Sequence, residues 1–131
     1  MKGIALILMA MPLMAYADPG KHLMRIFKKA ETVAEGNQRE EISKLKVKAA
    51  EDVFKLQAEI KALHVKLHEL MRSPKASDEE IRKTHEQIVN VKEKLYRTTF
   101  SYILQLRKIL GPEKFSEILR DAHHRGKGMG G

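Results

Sequence analysis

Helix-breaking residues are nearly absent from the middle of this chain. Between residues 21 and 110 the sequence contains a single glycine, Gly36, and a single proline, Pro74. Glycine and proline are the strongest local interrupters of regular structure, so their absence leaves room for long uninterrupted helices. With Gly20 before this stretch and Gly111-Pro112 after it, the breakers predict an all-α fold whose helices meet at these positions.

The second segment, from about Gln38 to Arg72, carries apolar residues at alternating spacings of three and four. They are Ile42, Leu45, Ala49, Val53, Leu56, Ile60, Leu63, Leu67 and Leu70. This pattern is typical of a helix that buries one stripe. After a loop at 73–77, Ser77 and Glu80 predict a capping box that starts a third helix ending at Leu110. Two such helices joined by a short loop predict a long antiparallel hairpin with arms of about 50 Å.

Shorter amphipathic segments flank this hairpin on both sides. Residues 21–33 precede it, and Pro112 suits the first turn of a fourth helix that carries Phe115 and Ile118. The glycine-rich end, residues 126–131, predicts a flexible tail. We therefore expect one helical hairpin domain over residues 18–125, with short flanking helices.

The N-terminal residues 1–17 predict an export signal. Lys2 provides a positive start, residues 4–14 form an apolar run, and Ala15-Tyr16-Ala17 has the small-x-small pattern of a signal peptidase site. The run is too short for a helix to span a bilayer core of about 30 Å. The alternative is an N-terminal membrane anchor. We expect cleavage after Ala17 and no stable membrane insertion of the mature protein.

The composition is basic and free of cysteine. The chain has 25 Lys and Arg against 17 Asp and Glu, a formal net charge of +8, which becomes +7 once Lys2 is removed with the signal. The absence of cysteine excludes disulfides and thiolate metal sites. A basic surface is typical of nucleic-acid binding, but export and the scarcity of aromatic residues argue against it. We expect acidic proteins or anionic lipid head groups as partners instead.

Sequence signatures of catalysis are missing. The chain has no glycine-rich phosphate loop and no Ser-His-Asp grouping. Its carboxylates alternate with Lys and Arg, which is the usual pattern of a solvated helix surface. We therefore expect no enzymatic activity and no catalytic residues.

Apolar doublets recur every seven residues along the third helix. They are Ile88/Val89, Leu95/Tyr96, Tyr102/Ile103 and Ile109/Leu110. One member of each doublet can face the second helix while the other widens the apolar stripe. This wider stripe fits the core of a homodimer or an open face that binds other proteins, and the two uses can coexist. The candidate residues for this face are Val89, Tyr96 and Ile103, with Lys28 and Lys29 as basic residues that attract acidic or partly folded proteins.

The histidines offer an alternative interpretation as a metal site. His64 and His68 are four residues apart on one helix, a spacing that suits two nitrogen ligands. His85 is expected opposite them in the hairpin, and His123 and His124 lie near the C-terminus. These residues are candidate ligands for zinc or another transition-metal ion. The other interpretation has His64 beside the apolar stripe, His68 in solvent and no cofactor.

The segment Leu110-Gly111-Pro112-Glu113-Lys114 resembles the Leu-Thr-x-x-Gln motif (LTxxQ) of the Spy/CpxP family of periplasmic proteins. Gly111 replaces the Thr of that motif and Lys114 replaces the Gln. Ala34-Glu35-Gly36-Asn37-Gln38 stands where the family often carries a first, looser copy, and residues 103–107 resemble the stretch that leads into the second copy. The resemblance extends from about residue 23 to residue 119.

The resemblance implies a protein of the periplasmic envelope stress response. Spy-like members are ATP-independent chaperones that bind unfolded proteins as cradle-shaped dimers, and CpxP-like members also regulate a stress-sensing membrane kinase. A related branch, the heavy-metal sensors and zinc-resistance-associated proteins, binds transition metals. The ligand positions of the cobalt/nickel sensors correspond here to Ile26, Ala30, Tyr102 and Leu106, none of which is a ligand of the needed type. The resemblance therefore favours a chaperone or regulator over that sensor.

Overall fold

Four α-helices account for nearly all of the structure, a computed structural model that describes the backbone of residues 18–129 and the side chains of residues 18–120. The helices are α1 (Pro19–Val33), α2 (Asn37–Arg72), α3 (Asp78–Leu110) and α4 (Pro112–Met129). The fold is all-α, as the distribution of breakers predicts. The proposed signal peptide, residues 1–17, lies outside the described residues.

Helices α2 and α3 form the predicted antiparallel hairpin. At the base, the Gln38 side chain at the start of α2 donates a hydrogen bond of 3.2 Å to the carbonyl of Ile109 at the end of α3. At the tip, Leu67 and Met71 of α2 line a shallow cavity with His85 of α3. The two arms are therefore aligned in opposite directions along their whole length of about 50 Å.

The start of α3 is capped by Ser77, as its sequence predicts. The Ser77 hydroxyl accepts a hydrogen bond of 3.2 Å from the backbone N–H of Glu80. The Glu80 carboxylate accepts a bond of 3.4 Å from the Ser77 hydroxyl, rather than from a backbone N–H as in a complete capping box. Three acidic residues in the first turn also favour this helix end electrostatically.

Helix α1 begins earlier than its apolar pattern predicts, because Asp18 caps it. The Asp18 carboxylate accepts hydrogen bonds from the backbone N–H groups of Gly20, at 2.9 Å, and Lys21, at 3.4 Å. Pro19 then occupies the first turn, where its missing N–H costs nothing. The Gln57 side chain of α2 donates a further bond of 3.0 Å to Asp18, which ties the start of α1 to α2.

The close approach of α1 to α2 depends on the lack of a side chain at Gly20. A Cβ atom there would lie 2.7 Å from Nε2 of Gln57 and 3.0 Å from Cγ1 of Val53. Further along, Lys46 of α2 and Glu31 of α1 form an ion pair of 3.2 Å. Helix α1 therefore packs along the base half of α2.

The hydrophobic core is concentrated in the half of the hairpin that α1 and α4 cover. Its buried members are Leu23, Ile26, Phe27, Ala30, Ala34, Ile42, Ala49, Val53, Leu56, Leu95, Tyr102, Leu106, Leu110, Phe115 and Ile118. In the distal half, Thr84 and Ile88 are buried. The predicted stripe of α2 continues there as half-buried Ile60, Leu63, Leu67 and Leu70. Two helices without a third neighbour thus leave the tip half thinly packed.

The backbone of α4 is helical as far as Met129. The helix therefore enters residues 126–131, where the composition predicts a flexible tail. Glycine in a helix interior costs about 1 kcal/mol relative to alanine, so Gly126 and Gly128 make this the weakest end of α4 by intrinsic propensity. The flexibility of the tail stays a prediction, and Gly130 and Gly131 lie outside the described residues.

Candidate functional site

Each apolar doublet of α3 places one side chain in the core and the other toward the surface. The buried members are Ile88, Leu95, Tyr102 and Leu110. The outward members are Val89, Tyr96, Ile103 and Ile109, of which Val89 is exposed and the others are half-buried. The doublets therefore widen the apolar surface of α3 beyond its contact with α2, as their spacing predicts.

Three of these outward positions form a continuous line with Phe100, which we call the α3 outer stripe: Val89, Tyr96, Phe100 and Ile103. Their spacings of seven, four and three place them on one side of the helix. Val89 is 46% exposed and Phe100 is 60% exposed, while Ile103 packs with its inner edge against the core. The doublet pattern missed Phe100, although its position four residues after Tyr96 is a signal that would have found it.

A second set of exposed apolar side chains lies on α2. Val47, Phe54 and Val65 are 59%, 74% and 54% exposed. Their spacings of seven and eleven place them on one side of α2, outside the stripe that contacts α3. Scattered surface apolar residues are normal, whereas contiguous ones mark interaction sites. The α3 outer stripe, with successive members no more than two helical turns apart, is the denser of the two sets.

The two candidate lysines of α1 point to different sides of the helix. Lys28 is exposed and lines a groove between α1 and α2, beside Phe54. Lys29 is half-buried and points about 100° away, as successive helical residues do. The structure thus places Lys28 beside α2, so that Lys28 and Lys29 do not act together as one basic patch on the α3 outer stripe.

The two segments that resemble copies of the LTxxQ motif meet at the base of the hairpin. The Gln38 side chain accepts a hydrogen bond of 3.2 Å from the Glu35 backbone and donates one to the Ile109 carbonyl. Lys114 lies 3.8 Å from the Glu35 carboxylate. Leu110 is buried beneath this junction. The ion pair between Glu35 and Lys114 therefore joins the two segments directly, and Gln38 ties the first segment to Ile109, the residue just before the second.

Both segments turn on a glycine with a backbone conformation that other residues rarely adopt. Gly36 has φ of 55° and ψ of −125°, and Gly111 has φ of 89° and ψ of 154°. Gly111 ends α3, and its carbonyl accepts the first hydrogen bond of α4 from Phe115, at 3.1 Å. A Thr at this position, as in the motif that the segment resembles, would be strained. The sharp turn into Pro112 and Glu113 thus forms without a Thr hydroxyl.

Replacing either glycine with alanine should destabilise the base of the hairpin. We expect Gly36→Ala and Gly111→Ala each to lower the free energy of unfolding by about 1–3 kcal/mol, because a Cβ is strained at these dihedral angles. Urea denaturation followed by circular dichroism measures this loss. Asn37→Ala, at an exposed helical position beside Gly36, is the control and should change stability by less than about 0.5 kcal/mol. Equal effects in all three variants would show that the glycine dihedrals are not responsible.

The candidate metal ligands are not brought together. Within the part of the chain that the structure describes, no group of three or more His, Asp or Glu side chains could hold a metal ion. His68 and His85 are exposed, and His64 is half-buried beside the apolar stripe. The side chains of His123 and His124 lie outside the described residues. Among the described residues, His64, His68 and His85 therefore form no three-ligand group, and the alternative interpretation as a metal site gains no support from the structure.

The four positions that correspond to the ligands of the cobalt/nickel sensors belong to the core. Ile26, Ala30, Tyr102 and Leu106 are all buried, with exposed fractions between 0% and 4%. Ala30 and Leu106 are completely covered. These positions therefore join α1 to the hairpin by packing.

A polar contact links the two arms at the middle of the hairpin. The Tyr102 hydroxyl of α3 donates a hydrogen bond to the Asp52 carboxylate of α2. Burial raises the pKa of Tyr102 to about 12, with further contributions from the hydrogen bond and charge of Asp52 and from the charge of Glu51. Both residues line a shallow groove of about 320 Å³ that also carries Lys48, Lys94 and Arg97. The sequence places Tyr102 in an apolar doublet of α3 but does not predict its partner.

Comparisons of this chain with known protein families, with curated proteins and with solved structures give no match. The resemblance to the Spy/CpxP family therefore stays a prediction. Between residues 18 and 129, no helix is both long and apolar enough to cross a membrane.

Proposed function

We propose that this protein is a non-enzymatic, periplasmic stress protein of the Spy/CpxP type that binds unfolded proteins without ATP. The α3 outer stripe is the binding face. Export through the N-terminal signal delivers the protein to a compartment without ATP, where binding must be passive. Intact-mass measurement of the exported protein tests the first step, and the expected N-terminal residue is Asp18.

The exposure of the Val89 and Phe100 side chains on α3 is the observation that carries this proposal. An unfolded segment that covers the stripe removes its own apolar surface and that of the stripe from water, at about 25 cal/mol for each Å². Because the stripe is a row of separate side chains rather than a closed pocket, it sets no strict requirement on sequence. The excess of basic residues adds a long-range attraction for acidic partners that salt weakens.

We also propose that the protein is a homodimer. The thin core of the distal half supports association, since Ile60, Leu63, Leu67 and Leu70 are only half-buried in one copy. Analytical ultracentrifugation at micromolar concentration should give the mass of two chains. A single-chain mass would contradict the dimer while leaving the binding of unfolded proteins to be tested separately.

The binding activity is tested by the heat-induced aggregation of a model enzyme. Light scattering should fall when this protein is added in stoichiometric amounts without ATP. The same suppression is expected with excess zinc and with a chelator, because the α3 outer stripe contains no metal ligand. Undiminished aggregation, or suppression only in the presence of zinc, would contradict the proposed function.

A further inference from the structure

A groove runs between α1 and α2 on the side where Phe54 is exposed. Its volume is about 490 Å³, within the range of sites that hold small molecules. The floor is apolar and is made by Met24, Ala50, Val53 and Phe54. Phe54 is 74% exposed, so the groove presents an aromatic ring that no other part of residues 18–120 covers.

One wall of this groove carries three positive charges, which we call the cation row: Lys21, Arg25 and Lys28. Their spacings of four and three align them along one side of α1. All three are exposed, and the ion pairs found among residues 18–120 involve other residues. The groove also contains the Asp18 carboxylate, which accepts hydrogen bonds from the backbone N–H groups of Gly20 and Lys21 and from the Gln57 side chain. The three cations of the row therefore leave an excess of two positive charges over this one carboxylate beside the apolar floor.

The walls of the groove do not suit a peptide. Both walls are helices, whose backbone groups are bonded internally, so an extended chain would find no main-chain partners. The free N–H groups at the start of α1 are already bonded to Asp18. An alkyl chain needs no main-chain hydrogen bonds, so it suits these walls better than an extended peptide does.

We propose that this groove binds a single-chain anionic amphiphile. The alkyl chain lies on the floor against Val53 and Phe54, and the carboxylate or phosphate head contacts the cation row. An alkyl chain matches the apolar floor and a negatively charged head group matches the cation row, so one molecule of this class complements both. The site is separate from the α3 outer stripe and does not depend on the proposed binding of unfolded proteins.

A tryptophan at position 54 reports on occupancy, because the chain contains no other tryptophan. The full chain carrying Phe54→Trp is titrated with dodecanoate and with dodecyl phosphate below their micelle concentrations. We expect a saturable blue shift of the emission with at least one of them. The relative affinities of the two probes identify the preferred head group. Acetate and inorganic phosphate, which lack the chain, should give no shift.

Charge variants in the same Phe54→Trp background decide whether the cation row holds the head group. Lys21→Gln/Arg25→Gln/Lys28→Gln should weaken binding about tenfold, as expected for the loss of exposed charge contacts. The matched control, Lys61→Gln/Lys66→Gln/Lys83→Gln, removes the same charge from exposed positions toward the hairpin tip and should leave the affinity unchanged. Absence of saturable binding, equal effects of both triple variants, or equal affinity for uncharged dodecyl maltoside would overturn the proposal.

Discussion

Replacing Phe27 with alanine should lower the free energy of unfolding by about 3–5 kcal/mol, the range found for large aromatic residues in tight cores. Phe27 is completely buried, and among residues 18–120 it is the largest of the fully buried side chains. It belongs to α1 and to the cluster that α1 shares with α2, α3 and α4. Because the surrounding helices can close the cavity only in part, the variant loses both burial and packing.

Urea denaturation followed by circular dichroism measures this effect. The control is Phe54→Ala, which makes the same chemical change at a position that is 74% exposed. We expect the control to change stability by less than about 0.5 kcal/mol. Similar losses for Phe27→Ala and Phe54→Ala would mean that α1 is not packed on the hairpin as the structure has it.

Removing the Tyr102 hydroxyl should be the second large effect. We expect Tyr102→Phe to lower the free energy of unfolding at pH 7 by about 1.5–3 kcal/mol, the usual contribution of a hydrogen bond to a charged group. The ring stays in the core, so the change isolates the bond to Asp52 of the opposite arm. Thermal or urea denaturation at pH 7 measures the loss.

The same bond should make stability depend on pH in the alkaline range. The pKa of Tyr102 is about 12 in the folded protein, against an ordinary value of 10.0. Between pH 10 and pH 12 the unfolded chain therefore releases this proton while the folded protein keeps it. The contribution of Tyr102 to the free energy of unfolding is fully present below pH 10 and is lost as the pH rises toward 12. This loss amounts to roughly 2–3 kcal/mol in total.

Two variants separate this contribution from other alkaline titrations. The fall assigned to Tyr102 is the difference between the wild type and Tyr102→Phe, since the variant has no group to titrate at this position. Asp52→Asn removes the negative charge but not the burial, so it should shift the pKa of Tyr102 only part of the way back to its ordinary value. Parallel pH profiles for the wild type and Tyr102→Phe between pH 9 and pH 12 would contradict this account.

The sequence predicts the hairpin because breakers and apolar spacing act locally. Gly36 and Gly111-Pro112 lie at helix boundaries, and Pro74 lies in the loop between the end of α2 at Arg72 and the start of α3 at Asp78. The doublets of α3 indicate which residues point inward, since helical periodicity fixes their direction within one turn. The cap at Ser77 follows from side chains three residues apart.

Contacts between residues that are far apart in the chain do not follow from such local patterns. The bond between Tyr102 and Asp52 joins residues fifty positions apart and depends on the register of the two arms, which apolar spacing does not define to within one residue. The register of the two arms also decides where the rings of His64, His68 and His85 point, and among the described residues these three form no group that could hold a metal ion. By contrast, the Asp18-Pro19 start of α1 carried a local signal, an acidic cap before a proline.

The candidate site was predictable only in part for a related reason. Val89, Tyr96 and Ile103 follow from the doublets. The spacing of four residues from Tyr96 indicates Phe100, but the exposure of Phe100 appears only once the core is placed. The groove beside Phe54 depends on how closely α1 approaches α2 at Gly20. Such distances between helices come from the packing of several elements.

Paired variants in the aggregation assay decide whether the α3 outer stripe binds unfolded proteins. Val89→Ser/Phe100→Ser removes one valine and one phenylalanine from the stripe. Val65→Ser/Phe54→Ser makes the same chemical change on α2, at positions that are also exposed. We expect the first variant to lose most of its suppression of aggregation and the second to keep it. Equal suppression by both variants, or equal loss in both, would contradict the assignment of the binding face to α3.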